Sequence, residues 1–180
     1  MNKNALKLKE YISNEKLIKQ IKVTAEQIND NYFKSNKNDE ILNVICVLKG
    51  AVLFYSEIVK YLKMPINMHF VTLSSYGGKT ETSGNVKPMD VNLPDLKNKN
   101  ILIVEDIIDT GLTLSYFANY INNKFKPKYL KTVTLLDKKE CRKVNFSTDF
   151  NCFEIENKFV VGFGMDYDEQ YRNLDYIAYI

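Results

Sequence analysis

The chain has 180 residues, 45% of them hydrophobic, with 25 lysines and arginines against 22 acids and a formal charge of +3. That length fits one domain over 1–180 with a single core, and no run approaches the ~18 apolar residues of a membrane span. Only Arg142 and Arg172 among the basic residues are arginines, which argues against a nucleic-acid face built to grip phosphates.

In chain order, apolar residues recur at Leu17, Ile21, Ala25, Ile28 and Tyr32. That spacing predicts a helix from Ser13 to about Phe33, with Ser13 or Asn14 as cap and Glu15 in the first turn. Ile41 to Leu48 reads as a buried strand, broken by Lys49-Gly50. A helix follows over 51–62 until Met64-Pro65 stops it, and Ile66 to Leu73 is the next strand. Residues 74–98 carry no periodicity and hold Gly77-Gly78, Gly84 and two prolines; a connection that long is functional or disordered. A third strand runs over 101–105, a helix over about 111–123, and a fourth strand from Tyr129 to Leu136. Short strands are expected at 150–155, 159–163 and 176–180. Strands alternating with helices predict a doubly wound, mainly parallel α/β sheet flanked by helices, with an antiparallel elaboration late in the chain. The first seven residues lack an apolar signal core, and Cys46, Cys141 and Cys152 show no paired spacing. Free thiols in a reducing cytoplasm are therefore expected.

The densest chemical signal is Ile101-Leu102-Ile103-Val104-Glu105-Asp106-Ile107-Ile108-Asp109-Thr110-Gly111-Leu112-Thr113. Four apolar residues rich in β-branching suit a parallel strand buried on both faces. In open α/β sheets ligands sit outside the carboxyl ends of the strands, where Glu105 and Asp106 fall. Backbone N–H groups of residues 109–113, at a helix N-terminus, suit a phosphate, and carboxylates accept from vicinal hydroxyls. Two acids alone are more often just a charged strand end, and Asp109 could simply cap the helix. One glycine in place of G-x-G-x-x-G excludes a dinucleotide loop. Lys49-Gly50 after a strand is an everyday turn, Lys138 past a strand end is ordinarily exposed, and His69 has no metal-like or nucleophile-like neighbours.

Taken with Leu48-Lys49-Gly50, Leu135-Leu136-Asp137-Lys138 and Lys158 through Tyr167 followed by Tyr171-Arg172, the motif resembles the phosphoribosyl-pyrophosphate (PRPP) signature of type I phosphoribosyltransferases. The strand ending in Glu-Asp before Ile-Ile-Asp-Thr-Gly is similar to their hypoxanthine-guanine branch, and the resemblance runs from about Ile41 to Tyr176. It implies that family's fold, with a small hood built from the chain ends. It also implies a purine-salvage transferase joining a 6-oxopurine, hypoxanthine and with it guanine, to Mg-PRPP to give the nucleoside 5′-monophosphate and pyrophosphate.

By the same resemblance, Asp109, Thr110, Gly111, Leu112 and Thr113 hold the 5′-phosphate, and Glu105 and Asp106 the ribose hydroxyls. Asp109 takes or shares the N7 proton as the catalytic residue. Lys49, Gly50 and Arg172 bind pyrophosphate, with the Leu48–Lys49 peptide able to adopt the cis form. Lys138 faces O6 of the purine, Phe159 stacks on its ring, Val160 meets its edge through the backbone, and Asp166 lies beside it. Mg²⁺ falls to Glu105, Asp106 and Asp166, and Ser75 and Tyr76 belong to a loop that closes over the site. Position 112 is Leu where some relatives carry Lys or Asn, a change that matters little if the loop binds through its backbone. Relatives are dimers or tetramers, so a homo-oligomer is expected, with no nucleic-acid or membrane partner. A rival of another class is an RNA-binding regulator on the same scaffold, which would need a clustered basic face and no Lys138, Phe159 and Glu-Asp set.

Overall fold

The computed structural model describes residues 7–36, 40–73 and 91–180; Ser75 and Tyr76 lie outside them. The first helix, α1, spans Asn14–Ser35, and the hydroxyl of its cap Ser13 accepts from the N–H of Lys16 at 3.5 Å. The next strands and helices follow the expected alternation: β2 (Leu42–Leu48), α2 (Val52–Ile58), β3 (Ile66–Thr72), β4 (Asn100–Ile108), α3 (Leu112–Phe125), β5 (Tyr129–Asp137) and β6 (Phe150–Glu154). β2 to β6 form one parallel sheet in the order β3-β2-β4-β5-β6.

Alternation along each strand sends neighbouring side chains to opposite faces, and both faces are covered. Leu42, Val44 and Cys46 of β2 and Leu102 and Val104 of β4 pack with α1 and α2 through Leu17, Ile21, Ile28, Tyr32, Phe54 and Ile58. Ile45, Val47, Ile101 and Ile103 pack with α3 through Leu114, Phe117, Ile121 and Phe125. Burial on both sides is why these strands read as unbroken apolar runs. His69, on the edge strand β3, has its Nε2 3.0 Å from Oδ1 of Asn43, in keeping with a structural role.

Several boundaries differ from expectation. Strand β4 does not stop at 105 but runs on to Ile108, because β5 continues beside it and pairs Ile107 with Leu136 and Ile108 with Asp137. The second helix tightens into a 3-10 turn at Val59–Tyr61 after Ile58. β6 joins the parallel sheet at its edge, so the late antiparallel part does not include it. It comprises β1 (Lys9–Ile12), β7 (Val160–Val161) and β8 (Ile177–Tyr179), in the order β1-β8-β7. β1 was not expected at all: only four residues long, it is a strand because β8, from the other end of the chain, pairs with it. β7 is cut short by the positive φ values of Gly162, Phe163 and Gly164, which turn the chain. The late antiparallel unit is thus a three-stranded hood made from both chain ends.

Candidate active site

From β2 the chain moves outward to β3, and from β4 it moves the other way to β5. The switch point therefore lies between β2 and β4, where open α/β sheets leave a crevice for ligands. Pairing between these two strands ends at Cys46 and Val104. Above it stand the turn 48–51 on one side and residues 105–111 on the other.

Glu105 and Asp106 lie inside β4, half-buried. Oε1 of Glu105 accepts from the N–H of Asp106 at 3.1 Å, and Oδ1 of Asp106 accepts from the N–H of Ile107 at 2.8 Å. Burial, and then the charge of Asp106 beside it, push the proton affinity of Glu105 well up. Burial also raises that of Asp106, partly offset by hydrogen bonds and by the charge of Arg172. Two adjacent, partly buried carboxylates whose proton affinities are both raised are short of positive charge. Beneath them the Cys46 thiol is pushed up to about 12 by burial and by the same two acids, so it stays protonated and inert.

Gly50 makes the crevice narrow. A Cβ there would sit 1.7 Å from Oδ2 of Asp106, so only glycine lets the turn after β2 approach the acid. The Leu48–Lys49 peptide in that turn is cis.

The turn after β4 is open at the start of its helix. α3 begins after Gly111, which has φ +80° and gives no side-chain cap; the Asp109 side chain does not cap it. Leu112 N–H reaches Oγ1 of Thr110 at a long 3.4 Å. A hollow of about 120 Å³ here is lined by Glu105, Asp109, Thr110, Gly111 and Thr113 among others. A wider hollow of about 590 Å³ lies along the outside of α1, but one amphipathic helix face offers no convergent polar groups. The turn hollow is small, polar and headed by a positive helix end, which suits an anion.

Freed from capping, the Asp109 carboxylate is 48% exposed and lies 3.5 Å from Nζ of Lys138, whose side chain is only 9% exposed. A lysine past a strand end is ordinarily exposed, and this one is not. Lys138 is drawn in because its N–H donates to the carbonyl of Ile108 at 2.9 Å, extending the β4–β5 ladder by one step.

The hood supplies the remaining residues. Phe159 is 54% exposed and meets the ring of Tyr167 edge to face at 5.7 Å, leaving a ring face open to stacking. Val160 is buried in β7. Arg172 donates from Nη1 to the carbonyl of Gly164 at 2.9 Å, and its Nη2 lies 2.8 Å from Asp166 and 3.3 Å from Glu169. Its buried Nε has no hydrogen-bond partner among the described residues. Glu169 also pairs with Lys49 at 3.0 Å, and these two cations hold its carboxyl below the usual range.

Residues expected at separate points of the chain thus fall into two neighbouring groups, Asp109 with Lys138 and Asp106 with Gly50 and Arg172. Glu105, Asp106 and Asp166, expected to share Mg²⁺, form no three-acid cluster among the described residues. Sequence reasoning missed Asp137, Arg142, Tyr167 and Glu169. Of these only Arg142 carried a signal, being one of two arginines in a lysine-rich chain.

Comparison with known proteins agrees with this geometry. Residues 7–168 match the phosphoribosyl transferase domain family. The chain is 40% identical over 166 residues to the hypoxanthine-guanine phosphoribosyltransferase of Streptococcus thermophilus, covering 92% of this chain and 89% of that protein. It is 41% identical over 167 residues to that of Bacillus subtilis, covering 93% and 89%. A crystal structure of a hypoxanthine-guanine phosphoribosyltransferase from Bacillus anthracis superposes with a TM-score of 0.84 at 39% identity, covering 96% of this chain and 98% of that one. The hypoxanthine phosphoribosyltransferase of Trypanosoma cruzi gives 0.82 at 36%, covering 95% of each. No helix among the described residues is long and apolar enough to cross a membrane. The chain belongs to the phosphoribosyltransferase family, within its hypoxanthine-guanine branch.

Proposed function

We propose that this enzyme transfers the phosphoribosyl group of PRPP to N9 of a 6-oxopurine, hypoxanthine or guanine, releasing pyrophosphate. One observation carries the reading: a hollow at an uncapped helix start adjoins a buried ammonium 3.5 Å from a carboxylate. On this reading the sugar phosphate and the group that selects the base sit side by side at the switch point.

The turn 109–113 takes the 5′-phosphate on its backbone N–H groups, and Glu105 and Asp106 accept from the ribose 2′ and 3′ hydroxyls. As N9 bonds to C1′, the C1′–O bond to pyrophosphate breaks and positive charge develops on the ribose, beside two acids already short of cations. Asp109 receives or shares the N7 proton. Lys138, a donor only, accepts a base with O6 and opposes one with a 6-amino donor. Phe159 offers its open face to the purine and Val160 its backbone groups; Lys49, Gly50 and Arg172 receive the pyrophosphate. Lys49 and Arg172 now hold Glu169, which must yield as the anion arrives.

The carboxylates supply only hard oxygen donors, few in number, which fits Mg²⁺ carried in largely by substrate oxygens and water. Glu105, Asp106 and Asp166, which form no common ligand cluster among the described residues, would each reach it singly, and when bound it would offset charge on the departing pyrophosphate. A homo-oligomer belongs to the same reading, supported by edge strand β3, where Met68 and Phe70 are 49% and 47% exposed on one face. A cytoplasmic setting is supported by three free thiols. The RNA-binding rival finds no support: the relatives reported above are transferases, and the acids and lysine it has no use for are in place.

Initial rates of pyrophosphate release with hypoxanthine, guanine, xanthine and adenine, with and without Mg²⁺, test the reading. Hypoxanthine is turned over with Mg²⁺ and adenine on the order of 10⁴-fold less efficiently. Comparable adenine turnover overturns the role of Lys138, and no release with any base overturns the whole.

A further inference from the structure

The segment after Lys138 lies across the turn that follows β4 and grips two of its carbonyls in succession. A guanidinium N–H of Arg142 donates to the carbonyl of Asp109. The N–H of Lys143 donates to the carbonyl of Thr110 at 2.9 Å. Peptide groups are planar and trans, so each carbonyl points opposite to the N–H of the next residue. Fixing the carbonyls of 109 and 110 on the Arg142 side therefore turns the N–H groups of Thr110 and Gly111 to the other side. Two successive N–H groups held in one direction make an anion-binding concavity.

The arginine itself is held from behind. Its second guanidinium nitrogen pairs with Oδ1 of Asp137 at the end of β5, and the two side chains are 14% and 4% exposed. The charge of Arg142 is thereby matched within the protein. Gly111 completes the fit: a Cβ there would come within 2.8 Å of Cδ of Arg142, so the arginine stem lies flat against the turn.

We infer that Arg142, anchored by Asp137, is a positioning residue that presets the turn 109–113 for the 5′-phosphate of PRPP by holding its carbonyls away from the anion. This rests on the reading above that the turn takes that phosphate. The planar fork is needed because it reaches Asp137 and the Asp109 carbonyl at once; a lysine ammonium on a single flexible stem can favour only one of them.

The test compares wild type, Arg142→Gln, Arg142→Lys and Asp137→Asn, all assayed below their unfolding transitions. Two readouts are used: initial rates with PRPP and hypoxanthine varied in turn, and calorimetric titration of each protein with ribose 5-phosphate, which carries the phosphate but neither base nor pyrophosphate. In Arg142→Gln the PRPP KM and the ribose 5-phosphate Kd both rise about tenfold to a hundredfold, the range expected for loss of a charge-assisted hydrogen bond. Arg142→Lys and Asp137→Asn fall between that variant and wild type. Loss of folded protein alone would lower kcat and leave KM and Kd in place. Should Arg142→Gln fail to fold, Arg142→Lys and Asp137→Asn decide alone. PRPP KM and ribose 5-phosphate Kd within twofold of wild type in the folded variants overturn the inference. A wild type that binds ribose 5-phosphate in an Arg142-dependent way yet releases no pyrophosphate with any purine sustains the inference and sinks the substrate reading.

Discussion

The turn after β4 and the turn after β2 flank the same switch point, but they are held by opposite means. The first is fixed by a largely buried ion pair, Arg142–Asp137, and by two backbone bonds, the Lys143 N–H on Thr110 and the Lys138 N–H on Ile108. The second is fixed by shape at Gly50, pressed on Asp106, while its charged residue Lys49 pairs with Glu169 where both side chains are about two-thirds exposed. A buried charge that loses its partner is costly, whereas an exposed pair is worth little and exchanges readily. A group that enters and leaves in every cycle suits the second kind of site, and a group that must be aligned for chemistry suits the first.

The most severe way to break this contrast is at Asp109, which sits on the fixed side with its carboxylate turned from the helix start toward Lys138. Asp109→Asn is expected to lower kcat by roughly 10²–10⁴, the contribution of a general base, with modest change in PRPP KM. Steady-state kinetics in hypoxanthine and PRPP decide it, and a kcat near wild type would remove the role. Next comes Gly50→Ala on the other turn. Its added methyl enters the Asp106 carboxylate, so the turn must shift away from the acid and from the pyrophosphate position. A rise in PRPP KM of at least about tenfold is expected, corresponding to about 1.4 kcal/mol or more. An unchanged KM would mean that the close approach of the two turns has no part in binding.

The difference between the two turns also explains what the sequence disclosed. The turn after β4 is one contiguous string following an apolar run, so its strand, glycine and acids could be read in line. The two-faced burial of β2 and β4 was equally legible, since nothing but a doubly covered parallel strand needs that many β-branched residues in a row. Arg142 and Asp137 were missed because their value is tertiary: the link from 142 to 109 depends on β4 and β5 lying side by side. β1 was missed for the same reason, its partner being some 170 residues away. Tyr167 and Glu169 sit in an irregular stretch with positive φ at Asp168, Glu169 and Tyr171, where neither helical nor strand periodicity exists to orient a side chain. The end of β4 was misplaced because two acids look like a strand's end, whereas the neighbouring strand kept the ladder going.

A smaller effect tests the acidic pair between the two turns. Both folded-state affinities for protons are raised, so the native state holds more protons than the unfolded chain over the range from the ordinary carboxylate values upward. Stability therefore falls as pH rises through that window, and is regained as pH drops toward the unfolded values. Glu105→Gln relieves the repulsion at neutral pH. It is expected to raise Tm by roughly 2–4 °C, about 1 kcal/mol in a chain of this size, and to flatten the pH dependence above the ordinary carboxylate range while lowering activity. Calorimetric scans across that range check it. A Tm at pH 7 that drops, with the slope unchanged, would show that the pair is satisfied rather than in need of a cation.

The smallest effect falls on the exposed pair. Glu169→Gln removes the carboxylate from Lys49 and Arg172, an exchange expected to change stability by less than about 1 kcal/mol because water screens Lys49 and Arg172 keeps Asp166. Its kinetic consequence has a definite sign. If Glu169 holds the cations that pyrophosphate must take, its neutralisation lowers the PRPP KM by a few-fold, and that gain shrinks as ionic strength rises, since added salt weakens the carboxylate's hold in the wild type as well. Phe159 and Lys138 lie outside this exchange, so the hypoxanthine KM stays put. A raised PRPP KM in Glu169→Gln would invert the reading of this side of the site: the carboxylate would be orienting Lys49 and Arg172 for the anion, and the turn after β2 would be as preset as the turn after β4.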